Sequence, residues 1–158
     1  MSNDESMWLR RLVRVTHKEA NHLLRTTERI RRQSPDLAWI RSLEDDDTRS
    51  EMLDAFVSRF GRLQDTLGDK LLSALLRFSL EKTGTQLDNL LRAEKLGWIA
   101  SVQAWVEVRE LRNRLIHEYV ESPEDLLAAL KAALQGVQIL IDVQARMSAY
   151  VQQLDALP

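Results

Sequence analysis

The chain contains no cysteine, which excludes a disulfide framework, a thiolate metal site and a cysteine nucleophile together. Five glycines and three prolines in 158 residues leave few places for tight turns, and sustained alternation of apolar and polar residues is scarce, so strands are not expected. No apolar run is read as a membrane span or as the core of a signal peptide, and Met1 to Ser6 are largely polar. The expected location is therefore the cytoplasm, with no membrane partner. A net charge of −2 and a pI near 5.9 argue against broad affinity for nucleic acid, which usually takes a basic domain. Any such binding must come from a local cationic groove, with modest affinity and marked salt dependence.

Abundant Leu, Ala, Glu and Arg at helical spacing predict an all-α fold, an up-and-down bundle of four to five helices in one domain over 1–158. A first helix is expected from about Met7 to Arg32, with a stripe through Leu9, Leu12, Val13, Thr16, Ala20, Leu23, Thr27 and Ile30, ending before Ser34-Pro35. Its basic tail suits a helix C-terminus. The acidic run Glu44 to Asp47 reads as a solvated loop rather than a hard-cation site, so no metal is expected. Thr48-x-x-Glu51 reads as a capping box that opens a second long helix, with Gly61 and Gly68 as places where it bends. Arg59 sits on that helix's apolar stripe, and an internal ion pair and a phosphate contact both stay open for it; Asp65 and Asp69 are candidate partners for Arg59 or for Arg112. A turn at Lys82 to Thr85 precedes a short helix from Gln86 to Leu96, stopped by Gly97. Another helix is expected from about Trp98 to Tyr119 or Val120. Ser122-Pro123-Glu124-Asp125 then opens the last helix, which runs to about Leu154.

The stretch Trp105 to Tyr119 carries the residues that look placed for chemistry. At about 100° per residue its apolar face holds Trp105, Val108, Leu115, Ile116 and Tyr119, with Leu111 at the edge. Arg112 falls in the middle of that face. A guanidinium there needs compensation, because an unpaired buried charge loses several kcal/mol of hydration. One candidate is a carboxylate on a neighbouring helix; the other is an anion bound in a cleft, most simply a phosphate, which the guanidinium fork matches bidentately. His117 lies about 140° round from Arg112 on a straight helix, with Asn113 on its own side. Tyr119 returns to the face of Arg112. Taken singly, a histidine near a helix end interacts with the helix dipole, and a tyrosine at a core rim is ordinary.

Arg112-Asn113-Arg114-Leu115-Ile116-His117-Glu118-Tyr119 fits the pattern R-x4-H-x-Y. With Asn directly after the Arg, Tyr two after the His and helices on both sides, the chain resembles the HEPN superfamily, in particular the HepT-like toxins paired with a minimal nucleotidyltransferase antitoxin. The resemblance implies a metal-independent endoribonuclease toxin of a type VII-like toxin–antitoxin pair, acting on tRNA or mRNA without a cofactor. It implies Arg112 and His117 as the catalytic pair, completed by a second copy of each across a homodimer interface. Asn113, Arg109, Arg114 and Arg59 are expected to support substrate, and Tyr119 matches the tyrosine adenylylated by the cognate antitoxin. Added AMP would bring negative charge and bulk to a groove built for phosphate. The other expectation is a non-catalytic HEPN module that binds nucleotide or nucleic acid beside a nucleotidyltransferase.

Overall fold

Thr16, Ala20, Leu23, Thr27 and Ile30 recur on one face, and that face is buried along α1 (Asn3–Arg32), as expected from the spacing. The computed structural model describes residues 3–155, apart from the side chains of residues 118–121. After α1 the chain turns through Ser34, at φ 46°, into a short α2 (Leu37–Arg41), capped by the Asp36 carboxylate.

The next rod begins two residues earlier than the capping-box reading places it. Asp46, not Thr48, is the N-cap: its backbone is extended and its carboxylate accepts from Arg49 N at 3.0 Å. Part of the acidic run is therefore spent on the orphan amides of α3 (Asp47–Asp65). Among the described residues no cluster of three His, Cys, Asp or Glu is arranged to hold a metal ion. A π turn over Thr66–Leu71 joins α3 without a break to α4 (Leu72–Phe78). Leu80, at φ 59°, ends that rod.

α5 (Gln86–Lys95) is capped by the Thr85 hydroxyl and the reciprocal Asp88 carboxylate. Gly97 follows at φ 82°, the left-handed conformation that glycine takes most readily. The helix expected from Trp98 starts later, as α6 (Val102–Glu121). Trp98 and Ile99 are instead buried in the connection, Ser101 Oγ accepts from Ala104 N at 3.1 Å, and the Glu94 carboxylate accepts from Val102 N at 2.7 Å. With two of the first-turn amides engaged from outside the helix, the boundary falls at Val102. α7 (Pro123–Asp155) starts at the predicted serine cap, with Ser122 Oγ accepting from Asp125 N.

Four long rods make the bundle, each antiparallel to its neighbours. Arg59 reaches the His22 carbonyl and Thr66 reaches Glu19, which sets α3 against α1. Gln144 meets Thr16, and Arg10 meets Asp155, which sets α7 against α1. Gly136 of α7 lies beside Leu111 and Val108 of α6, and Gly68 of the π turn lies beside Trp105 of α6. The core is one cluster through all four, with Phe56, Phe60, Trp98 and Trp105 as its largest fully buried side chains. α7 is, by length and composition, apolar enough to cross a membrane, contrary to the expectation that no such run exists; half of that stretch is buried against the other helices. Packing against α6, α1 and α2 accounts for its apolarity as that of a core helix.

Candidate functional site

α3 and α6 approach each other closely because a glycine stands where they cross. A Cβ on Gly61 would lie 2.6 Å from Arg112 Nε and 3.4 Å from its Cδ. With only a hydrogen there, the Arg112 side chain lies flat across a turn of α3 and ends at Asp65, one turn further on, where Nη1 meets Oδ1 at 3.2 Å. The bland candidate for compensating Arg112 is thus realised: a carboxylate on the neighbouring helix. The pair is not sealed, however. The Arg112 and Asp65 side chains are 33% and 49% exposed, and both line an open groove of about 410 Å³ between α3, the π turn and α6. Arg112 therefore stands at the edge of the α6 apolar face rather than in its middle.

Ile116 corrects the sequence reading in the same direction. Expected on the buried face, it is 54% exposed and forms part of the groove's rim. The buried arc of α6 is centred on Val108 and Leu115, and Ile116 lies about 100° past Leu115. His117 is exposed a further step round and is not among the residues that line the groove. Within one chain, then, Arg112 and His117 do not line the same groove, in keeping with their offset of about 140° on a straight helix. Asn113 and Arg114 are exposed on the outer side of α6. The Tyr119 side chain lies outside the described residues.

The remaining arginines are placed by polar contacts to neighbouring elements. Arg59 donates to the His22 carbonyl at 3.2 Å and to the Thr26 hydroxyl, so it ties α3 to α1 and does not line the groove. Neither Asp65 nor Asp69 is its partner. Arg109 donates to Gln86 Oε1 at 2.8 Å, and Gln86 Nε2 donates to Asp69 Oδ1 at 3.1 Å, a relay that links α6, α5 and the π turn.

Glu19 of α1 sits behind the groove and was not singled out by the sequence. Its Oε1 accepts from the Thr66 hydroxyl at 3.1 Å, while the same hydroxyl lies 2.9 Å from the Arg62 carbonyl. One hydrogen faces two acceptors. Glu19 Oε2 is buried without a hydrogen-bond partner among the described residues. Burial raises the Glu19 pKa; the Thr66 hydrogen bond and the charges of Arg62 and Lys70 oppose that shift, and Asp65 adds to it. A protonated Glu19 would resolve the geometry, donating to Thr66 and releasing the Thr66 hydrogen to the Arg62 carbonyl.

No protein-family model, curated protein or solved structure matches the chain. The functional reading rests on the site itself and on the R-x4-H-x-Y pattern.

Proposed function

We propose that the protein is an endoribonuclease of the HEPN type, the toxin of a toxin–antitoxin pair, cleaving RNA at a site assembled from two copies of α6. The observation that carries this reading is the state of Arg112: a guanidinium held in place by Gly61 and Asp65, yet open to a groove in which an anion can replace the carboxylate.

The chemistry needs no metal. A base removes the 2′-OH proton, the 2′ oxygen attacks phosphorus, the bond from phosphorus to the 5′ oxygen breaks, and an acid protonates that leaving oxygen. The products are a 2′,3′-cyclic phosphate and a 5′-hydroxyl. Histidine serves in either role, since it ordinarily titrates at about 6.5, and Arg112 stabilises the extra negative charge on the pentacoordinate phosphate. One chain offers only His117 near Arg112 in sequence, and it faces away from the groove. A two-fold partner packed against the Asn113, Ile116 and His117 side of α6 brings a second His117 and a second Arg112 to one cleft. The exposed Ile116 gives that face an apolar contact. The cognate nucleotidyltransferase would silence the site, with Tyr119 as the residue adenylylated.

The separation of Arg112 from His117 in one chain also favours a second reading, a HEPN module that binds RNA or nucleotide without cleaving. Incubation of the protein with tRNA and single-stranded RNA in EDTA separates the two. The first reading expects 2′,3′-cyclic phosphate ends, lost by at least about 100-fold in His117→Ala, as for a general acid–base residue, and in Arg112→Ala, as for a group that stabilises transition-state charge. Binding without cleavage by a folded, dimeric protein selects the second, and neither binding nor cleavage defeats both.

A further inference from the structure

The groove beside Arg112 has a second row of residues that the R-x4-H-x-Y pattern does not contain. On its α3 side the lining runs in two ridges: Asp65 and Asp69 stand on the ridge that carries Gly61, and Ser58, Arg62, Thr66 and Lys70 stand on the next. In an uninterrupted α-helix, residues eight apart drift by about 80° round the axis, which would turn Lys70 away from Arg62. The π turn over Thr66–Leu71 prevents this. There each residue advances about 80° rather than about 100°, so the drift is taken back and Lys70 returns to the line of Arg62 and Thr66. π turns inside helices occur frequently at functional sites, and this one is accommodated by Gly68, where a Cβ would stand 3.0 Å from the Trp105 ring.

The charges along the two ridges are not equivalent. Asp65 is engaged by Arg112 and Asp69 by Gln86, whereas Arg62 and Lys70 are exposed and form no ion pair among the described residues. Glu19, the carboxyl group whose field reaches both, lies behind the ridge on α1, against the Thr66 hydroxyl. Two aligned cations without an ion-pair partner among the described residues, with a third beyond them on α6, face an open trough whose lining carries three cations and two carboxylates. No aromatic side chain lines the trough among the described residues, so it offers nothing on which a base could stack.

We propose that Arg62 and Lys70, on either side of Thr66, form a phosphate-backbone subsite for single-stranded RNA, holding the strand on the near side of the phosphate that Arg112 engages. The inference rests on the ribonuclease or RNA-binding reading of the groove. It makes the contact independent of sequence, because phosphates position a strand and do not identify bases. It also explains how an acidic protein holds RNA, through one short cationic track.

The test is binding of a fluorescent, fully 2′-O-methylated single-stranded oligonucleotide, which lacks the nucleophilic hydroxyl and survives the assay. Wild type, Arg62→Gln, Lys70→Gln, the double variant, Arg112→Ala and the distant control Lys131→Gln are titrated at several salt concentrations, with thermal melting to confirm folding. The double variant should bind about 10-fold more weakly, and the slope of log K against log salt should fall by about 0.7 for each cation removed. Lys131→Gln should match wild type. A folded double variant with wild-type affinity and slope, while Arg112→Ala binds weakly, overturns the subsite and leaves the parent reading intact. Failure of the wild type to bind the strand at low salt overturns the parent reading, and the subsite with it.

Discussion

Arg112 lies across Gly61, and the two residues need each other's shape: a Cβ on the glycine would stand 2.6 Å from Nε and 3.3 Å from Cζ of the arginine. Gly61 is a mid-helix glycine, where alanine would ordinarily add about 1 kcal/mol of helix stability. Its absence of side chain is therefore a requirement of the site. In Gly61→Ala the stem of Arg112 has to lift off α3 and its bond to Asp65 breaks. The expected outcome is a melting temperature within a few degrees of wild type and, on the proposed ribonuclease reading, RNA cleavage reduced at least about 10-fold, since small misplacement of a charge-stabilising group is costly. Full activity, or a crystal structure with Arg112 unmoved, would contradict this.

Asp65→Asn separates the two accounts of Arg112 that the sequence left open. If the carboxylate existed to compensate a buried charge, its loss would cost several kcal/mol. The pair is instead substantially exposed, and a screened pair of this kind contributes at most about 1 kcal/mol. Urea denaturation of Asp65→Asn should show a loss within that bound. Oligonucleotide affinity should rise a few-fold, because a fixed anion that competes with phosphate has been removed. A loss of several kcal/mol would mean that Asp65 is a structural partner first.

The bundle was legible because its signals are local and repeated. The α1 stripe, the serine cap before Pro123 and the stop at Gly97 each follow from periodicity or from backbone chemistry that a single sequence displays. The site was half legible. Arg112 could be recognised as a charge needing a partner, and Asp65 was among the candidates, yet Gly61 was read as a bend when it serves a side chain arriving from another helix. Ile116 was placed on the wrong side because the buried arc of α6 is set by where α3 and α7 lie. The π turn defeats any reading that assumes about 100° per residue throughout, so the alignment of Arg62 with Lys70 had no signature in the spacing. Glu19 was missed for a related reason: its partner Thr66 stands at the start of that turn.

Gly136 and Gly68 should respond in opposite senses to the same substitution. A Cβ on Gly136 would meet Leu111 and Val108 at 3.5 Å, ordinary contact distance, so Gly136→Ala should stabilise the protein by about 0.5–1 kcal/mol through helix propensity. A Cβ on Gly68 would meet the Trp105 ring at 3.0 Å, and that ring is fully buried in the core. Gly68→Ala should therefore destabilise by about 1–3 kcal/mol, the usual cost of overpacking. Thermal or urea unfolding of the two variants tests the crossing distances directly, and equal shifts of the same sign would count against them.

Glu19 sets a pH dependence of stability whose sign follows from its raised pKa. Desolvation favours the neutral carboxyl in the folded chain, outweighing the Thr66 hydrogen bond and the charges of Arg62 and Lys70. The folded state thus binds this proton more tightly than the unfolded state does. The contribution is fully present below the ordinary glutamate range and is lost as pH rises through the higher folded value, so above that value the ionised Glu19 weakens the fold. Glu19→Gln is neutral at every pH and supplies an amide that can donate to the Thr66 oxygen, freeing the Thr66 hydrogen for the Arg62 carbonyl. Once pH has passed the folded value, the variant should be more stable than wild type by about 1 kcal/mol, of the order of one satisfied hydrogen bond. Its urea midpoint should also fall less steeply than that of wild type as pH rises through the titration. Parallel curves for the two proteins would show that Glu19 does not titrate with folding, and the one-hydrogen conflict at Thr66 would then need another resolution.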